Sequence, residues 1–184
     1  AIGESTLEEL LSVDMAYGFR SVRRLSLAAC PPAPIPRLSD VLGMVMEQSR
    51  TRVSIQPKAD CVALIVAMIE EMGADRWIGF NDGDVGMLCD ARERLPGVPI
   101  FYDTGPGLTR ADEAVAVALA HRFQAIVMHA STVTRQSVDT IQNAGLESGA
   151  WTVNDVAEMR RLLGLGVRRL YTDDPAAMLE ILAR

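Results

Sequence analysis

The feature that most restricts the fold of this sequence is a regular alternation of short strand-like runs and helical stretches, which starts near residue 52. Six runs predict β-strands, over 52–56, 77–80, 99–102, 125–129, 148–153 and 168–171. The stretches between them predict helices, over 60–72, 84–94, 110–122, 134–144 and 155–164, with a last short helix after Pro175. Strands that recur every ~20–25 residues with a helix between them indicate right-handed βαβ units and a parallel sheet.

The predicted helices carry suitable residues at their ends. We expect N-caps at Asp60, Thr109, Thr134 and Asn154, and helix ends near Gly145 and Gly164. Before residue 52, Ser5-Thr-Leu-Glu8 has the form of a capping box and predicts a short helix to about Val13. Apolar residues at helical spacing predict another helix from Leu38 to about Gln48.

The first strand distinguishes a barrel from an open sheet. Alternate residues of Arg52–Lys58 place arginine, serine, glutamine and lysine on one face, and valine, isoleucine and proline on the other. A central strand of a doubly wound sheet is apolar on both faces, whereas a barrel strand can have a polar inner face. No glycine-rich nucleotide-binding motif follows a strand. We therefore predict an α/β fold, a TIM (β/α)8-type barrel with about six of its eight strand-helix units visible, or a sheet that opens or closes in another way.

Composition limits the possible functions. The 184 residues carry a formal net charge of −6, which argues against general binding to nucleic acid or to an anionic membrane and leaves a local basic pocket open. The three cysteines, Cys30, Cys61 and Cys89, are widely spaced and favour small buried side chains over a disulfide or zinc site. No apolar run is long enough to predict a membrane helix, and nothing in the chain indicates its compartment or oligomeric state.

Candidate site residues lie where the predicted strands end. Gln56 and Lys58 are two residues apart and point to the same side, so the lysine could hold a phosphate by charge or extend into solvent. His129 ends a strand and could serve as a general acid or a phosphate contact. Trp151 could form an apolar wall for a ligand or pack as core, and His121 is predicted on a helix surface.

Glycine-containing loops follow two other strands, at Asn81–Gly86 and Asp103–Gly107. Their glycines would let the backbone approach an anion closely. The same residues could equally form turns and cap the next helices, which is the role expected for Asp84 and Thr104.

An ordered set of segments resembles the glycerophosphodiester phosphodiesterase family. The segments are Thr6–Leu10, Pro36–Leu42, Val53–Lys58, Ile78–Asn81, Trp151–Asn154, Leu165–Val167 and Tyr171–Pro175. They follow the family's order through nearly the whole chain, which makes the resemblance more specific than any one of them.

The resemblance implies a TIM barrel that hydrolyses glycerophosphodiesters with a divalent cation, Mg²⁺ or Ca²⁺. The products would be an alcohol and glycerol 3-phosphate. Lys58 would hold the phosphate, Trp151 would line the glycerol pocket, and Phe80 and His129 would also contact the substrate. Gln56 falls on a metal-ligand position where the family normally has glutamate, and its neutral amide oxygen can still bind a hard cation. Arg168 stands where many members carry aspartate.

The family's catalytic histidines and most of its metal ligands are expected before Ala1, together with two further strands. We predict one barrel domain over 1–184, with residues 1–50 as an inserted region and a helix before the first visible strand. Two hypotheses follow. In one, the chain is part of a working phosphodiesterase whose first strands are not in this sequence. In the other, it is a non-catalytic fragment or relative that binds a phosphorylated ligand or a partner chain.

Overall fold

The computed structural model describes residues 4–106 and 110–183. The predicted cap Thr109 and the loop residue Gly107 lie outside these ranges. The chain divides into two compact units, residues 1–51 and 52–184, which we describe separately. No helix in the described ranges is both long enough and apolar enough to cross a membrane.

The second unit contains a parallel sheet of six strands in the order β1 to β6, so that each strand pairs with its neighbour in the sequence. The strands are β1 Val53–Ile55, β2 Ile78–Asp82, β3 Ile100–Asp103, β4 Ala125–His129, β5 Glu147–Trp151 and β6 Arg169–Leu170. The sheet is curled. Residues of both edge strands, including Ser54 and Arg169, line one cavity of about 510 Å³. This architecture confirms the predicted α/β class and TIM-barrel type.

Nine α-helices are present in the described residues. They are α1 Leu7–Leu11, α2 Ala16–Arg23, α3 Leu38–Met46, α4 Val62–Met72, α5 Val85–Arg94, α6 Ala111–Ala120, α7 Arg135–Asn143, α8 Val156–Gly164 and α9 Pro175–Leu182. The predicted helices between strands are all present, with bounds that differ by one or two residues. The sequence did not predict α2, whose eight residues include Gly18, a residue of low helix propensity.

The structure corrects two predicted caps. Asp155, not Asn154, caps α8 by accepting a hydrogen bond from the backbone N–H of Glu158. The side-chain amide of Asn154 instead donates a hydrogen bond to Asp173, in the loop after β6, at 2.8 Å. At α4 the N-cap is Cys61 rather than Asp60, and it makes no side-chain capping bond.

In the first unit, the start of α1 and the end of α3 differ from the prediction. In the second unit, the predicted cap of α7 is confirmed. The capping box of α1 pairs Thr6 with Glu9, one residue later than predicted. Helix α3 ends before Gln48, whose side-chain oxygen accepts hydrogen bonds from the backbone N–H groups of Arg50 and Thr51. Thr134 caps α7 as predicted.

Side-chain alternation along the strands separates the barrel interior from the layer under the helices. In β2, Phe80 is 1 % exposed and lies under the helices, whereas Gly79 faces the interior. A Cβ at Gly79 would lie 3.0 Å from the Phe101 ring and 3.1 Å from the Pro99 carbonyl oxygen. Glycine at this position therefore lets an interior phenylalanine pack against the strand.

A buried arginine joins α5 to the beginnings of β3 and β4. Arg92 is 6 % exposed, and its guanidinium donates to the carbonyl oxygens of Pro96, Val98 and Arg122 and to Oε1 of Gln124. The same Gln124 oxygen accepts from the backbone N–H of Ile100 at 2.6 Å. Burial lowers the pKa of Arg92, and Arg122 lowers it further. These hydrogen bonds compensate part of the cost of burying the charge.

We predict that Arg92→Ala lowers the free energy of unfolding by about 3 kcal/mol, because it leaves buried acceptors unpaired. Arg94→Ala is the matched control on the same helix, since Arg94 makes a surface ion pair with Asp90 and is 45 % exposed. This control should cost less than about 1 kcal/mol. Urea unfolding followed by circular dichroism measures both. Equal losses in the two variants would contradict the structural role of Arg92.

Candidate active site

Polar side chains gather at the carboxyl ends of the strands. Asp82, Asp103, His129 and Trp151 are the last residues of β2, β3, β4 and β5, and Lys58 follows β1 by three residues. Because the strands are parallel, these ends meet at one edge of the sheet, which is where α/β barrels bind their ligands. The sequence therefore brings one cation, two carboxylates, one imidazole and one indole to a common edge.

Asp103 is the most perturbed group at this edge. Burial raises its pKa from 3.8 to about 6, a rise that the Trp151 indole N–H opposes. The nearby Asp82 carboxylate raises the pKa further and the Lys58 ammonium lowers it. Oδ1 of Asp103 and Nε1 of Trp151 are both buried, and neither makes a hydrogen bond of good geometry in the described part of the chain, although the indole N–H is close enough to act on the carboxylate. The carboxylate is therefore only partly stabilised by its protein neighbours.

His129 and Trp151 form an aromatic pair on adjacent strands. They are directly opposite in the register of β4 and β5, and their rings meet edge to face with centroids 5.2 Å apart. The other side of Trp151 packs against a buried cluster that contains Phe101 and Val127. Nδ1 of His129 lies 2.7 Å from the hydroxyl of Ser131, which fixes the orientation of the imidazole.

The first two strands are joined by an interior hydrogen bond. The Ser54 hydroxyl donates to Oδ1 of Asn81 at 2.8 Å, and Asn81 is 8 % exposed. Across the curled sheet, Tyr171 has a pKa that burial raises. Asp103 adds to this rise, while Arg169 and the Ser54 hydroxyl oppose it. The interior below the strand ends is thus lined by polar groups, as the alternation in β1 predicted.

The structure places the residues that the sequence singled out in different environments. Lys58 and Gln56 are exposed, while His129 and Trp151 are half-buried at the strand ends. Phe80 requires a correction, because its ring lies in the core on the opposite face of β2 and cannot reach a ligand at the strand ends. The motif resemblance located this residue correctly in the chain but did not show which way it points.

Asp103 was not selected from the sequence, and Lys58 was selected without using the rarity of lysine in this chain. Asp103 was read only as part of a glycine-containing loop, although a carboxylate at a strand end is itself a signal. Lys58 is the only lysine in a chain with 18 lysines and arginines together, so its position after β1 is distinctive. Lysine differs from arginine in presenting a compact charge rather than a planar fork.

The predicted surface position of His121 is also corrected. The ring is half-buried at the end of α6, where Nδ1 lies 3.2 Å from Sγ of Cys89 and the imidazole stacks on Phe123. Burial raises the pKa of Cys89, and Glu93 raises it further, so the thiol is not activated.

Oxygen donors at the strand ends suit a hard cation. Asp103 has a buried oxygen that makes no hydrogen bond, the Asp82 carboxylate adds negative charge, and Gln56 follows β1 at the same edge of the sheet. Within the described residues, no three histidine, cysteine or acidic side chains form a ready-made metal cluster. The donors present therefore fit part of the coordination of a divalent cation.

The fold and its polar strand ends define an α/β barrel of the TIM type. The model of the glycerophosphoryl diester phosphodiesterase family matches residues 1–177, and the chain belongs to this family. No curated protein matches the chain.

Several solved structures share the fold. A protein from Silicibacter pomeroyi, described as a glycerophosphoryl diester phosphodiesterase, has 22% identity and a TM-score of 0.82 over 99% of this chain and 69% of its own. One from Galdieria sulphuraria, described as a glycerophosphodiester phosphodiesterase, has 19% identity and a TM-score of 0.81 over 100% of this chain and 72% of its own. An Oleispira antarctica phosphodiesterase in complex with the product sn-glycerol-3-phosphate has 17% identity and a TM-score of 0.77, with coverage of 100% and 72%.

We predict that Asp103 makes stability depend on pH. Its pKa is higher in the folded than in the unfolded chain, so the folded state retains the proton longer and loses stability as the pH rises from about 4 to about 6. Asp103→Asn removes this loss and should be more stable than the wild type at pH 7 by up to about 2 kcal/mol. Solvent screening of the half-buried carboxylate keeps the gain below the full value of the pKa shift. The two should be closer in stability at pH 4. Urea unfolding in the presence of a chelator measures the difference.

Asp139→Asn is the control for this prediction. Asp139 is an exposed carboxylate on α7, 3.8 Å from Arg135. Its replacement should leave the slope between pH 4 and pH 6 in place. If Asp103→Asn and the wild type show the same slope, Asp103 is not the group responsible.

Proposed function

We propose that the chain carries out metal-dependent hydrolysis of glycerophosphodiesters, which gives an alcohol and glycerol 3-phosphate. The match of the family model over residues 1–177 carries this proposal. The complex of the Oleispira antarctica phosphodiesterase with sn-glycerol-3-phosphate supports the proposed product. The polar groups at the strand ends supply one ammonium group for a phosphate and two carboxylates for a cation.

Lys58 is the proposed phosphate contact. Its ammonium is exposed at the end of β1 and close enough to Asp103 to lower the pKa of that carboxyl. A compact cation can follow the phosphoryl oxygens as their charge redistributes during P–O cleavage. Lys58 would therefore stabilise both the bound diester and the transition state.

Trp151 and His129 form the proposed wall for the glycerol group. The indole packs against the core cluster and meets the imidazole ring edge to face. Because its side chain is already held in place, it loses little conformational entropy when a ligand binds. The hydrogen bond between His129 and Ser131 keeps the ring at the strand end, where its Nε2 could contact a ligand oxygen.

Gln56 and Asp103 are the proposed protein ligands for a divalent cation, Mg²⁺ or Ca²⁺. Such a cation, when bound, would supply positive charge for the phosphoryl oxygens. The amide of Gln56 gives the site one negative charge fewer than a carboxylate would. The unpartnered oxygen of Asp103 and the charge of Asp82 compensate for part of this difference.

A second candidate is a non-catalytic relative that binds a phosphorylated ligand. Two observations favour it. Gln56 is neutral, and the two histidines are not brought together: His129 lies at the end of β4, whereas His121 contacts Cys89 at the end of α6. Binding of glycerol 3-phosphate without turnover of glycerophosphocholine would select this candidate.

We predict that Lys58→Ala lowers kcat/KM for glycerophosphocholine by about 100-fold or more, because removing one group that stabilises transition-state charge costs this much. Release of glycerol 3-phosphate in the presence of Mg²⁺ or Ca²⁺ is the measurement. Lys58→Arg keeps the charge and should retain part of the activity. Unchanged turnover in Lys58→Ala would remove this residue from the mechanism.

Arg76→Ala is the matched control for the loss of one cation. Arg76 is exposed in the short helix Asp75–Trp77 before β2, at the opposite end of the strand from the site. Its removal should leave kcat/KM unchanged. Titration of each variant with glycerol 3-phosphate separates a loss of binding from a loss of chemistry.

We also predict that Gln56→Glu binds Ca²⁺ roughly tenfold more tightly than the wild type, because it adds a negative charge among oxygen donors. Asn143→Asp adds the same charge at the exposed end of α7 and should leave the affinity unchanged. Isothermal titration calorimetry with Ca²⁺ measures both. Equal affinities in Gln56→Glu and the wild type would exclude Gln56 as a ligand.

A further inference from the structure

The first unit contains an apolar helix face that is exposed. Met15, the N-cap residue of α2, is followed by Phe19 and Val22 at spacings of four and seven residues, so the three side chains lie on one face of the helix. Their side chains are 55%, 58% and 81% exposed. Tyr17 on the same helix and Leu27 beyond it are 67% and 62% exposed. A concentration of large apolar side chains on a surface indicates an interaction site.

The same stretch is strongly cationic. Residues 15–37, which we call the basic segment, contain Arg20, Arg23, Arg24 and Arg37 and no acidic residue, although the chain has a net charge of −6. Arg23 and Arg24 are exposed, and neither forms an ion pair within the described residues. The Arg23 guanidinium lies 5.8 Å from the centre of the Phe19 ring, so charge and apolar surface are adjacent.

The basic segment is held in a defined conformation. Asp14 pairs with Arg20 and accepts hydrogen bonds from the backbone N–H groups of Ala16 and Ala33. Arg20 also donates to the carbonyl oxygen of Cys30. These contacts join α2 and the residue before it to Cys30 and Ala33, near the end of the segment. The apolar face of α2 is therefore displayed by a folded support and needs little ordering when it binds.

We propose that the apolar face of α2, with Arg23 and Arg24, binds the surface of a membrane that contains anionic lipid. A short amphipathic helix with apolar side chains on one face and arginines beside them inserts at the boundary between headgroups and acyl chains. The arginines contact the lipid phosphates and carboxylates, while Phe19 and Val22 enter the apolar layer. This proposal goes beyond the hydrolytic function and does not depend on it.

Charge favours a lipid surface over a second copy of the chain. A symmetric dimer through this face would bury Arg23 and Arg24 of both copies at an interface where the basic segment offers no acidic partner. An anionic surface meets the exposed Arg23 and Arg24 with opposite charge. The acidic balance of the whole chain limits this binding to one local segment.

Binding of the full chain to vesicles tests the proposal. We use phosphatidylcholine vesicles with and without phosphatidylserine and measure partition coefficients by co-sedimentation. The wild type should bind vesicles with phosphatidylserine at least tenfold more strongly than neutral vesicles, and added salt should weaken this binding. Arg23→Gln/Arg24→Gln should lower binding to the anionic vesicles by roughly 25-fold, since each arginine contributes about fivefold.

A second variant tests the apolar contribution. Phe19→Ser/Val22→Ser should lower binding to anionic vesicles at least tenfold. Leu64→Ser/Leu179→Ser is its matched control in the second unit, where the two leucines are 73% and 67% exposed, and it should bind as the wild type does. Circular dichroism checks that each variant is folded.

Three results would overturn the proposal. One is equal binding of the wild type to neutral and anionic vesicles. Another is unchanged binding of both basic-segment variants. The third is a wild-type dimer, seen by sedimentation equilibrium without lipid, that Phe19→Ser/Val22→Ser converts to a monomer, because a second copy of the chain would then cover the face.

Discussion

The parallel register of the barrel strands is the constraint on which the rest of the second unit depends. Because side chains alternate between the two faces of a strand, a shift by one residue would exchange the interior with the layer under the helices. Two glycines make the observed register possible. A Cβ at Gly149 would lie 3.1 Å from a methyl group of Val127 and 3.2 Å from Cβ of Arg169. The absence of a side chain at Gly79 likewise leaves space for the ring of Phe101.

That register also explains the chemistry of the strand ends. It places the half-buried Asp103 near the Trp151 indole, the Asp82 carboxylate and the exposed Lys58 ammonium. Water would normally stabilise a carboxylate, but here burial removes much of that water and the pKa rises. The same environment strengthens the attraction of the carboxylate for a cation. The raised pKa and the suitability for a divalent ion thus have one physical cause.

The sequence predicted the fold well because the fold depends on periodicity. Strand-helix alternation and the polar face of Arg52–Lys58 identify a parallel barrel without any tertiary information. Lys58, His129 and Trp151 could be selected as strand-end residues for the same reason. Their proposed contacts with a ligand follow from this position together with the family match.

The parts that could not be predicted depend on contacts between distant residues. Nothing local shows that Asn154 binds Asp173 instead of capping α8, or that Arg92 donates to carbonyl oxygens of two separate loops. The pKa of Asp103 likewise depends on burial by other strands. The direction of Phe80 was in principle readable, because Gly79 and Phe80 must face opposite sides of β2.

Net charge is a poor guide to what a particular surface of this protein attracts. At physiological ionic strength the field of a surface charge decays over about 8 Å. A ligand at Lys58 or a headgroup at Arg23 therefore responds to the few charges around it rather than to the net −6 of the chain. Acidic residues are absent from the basic segment, and at the strand ends one lysine lies beside two carboxylates. The arrangement of charge within each unit, and not its sum, decides which anions and cations the protein can bind.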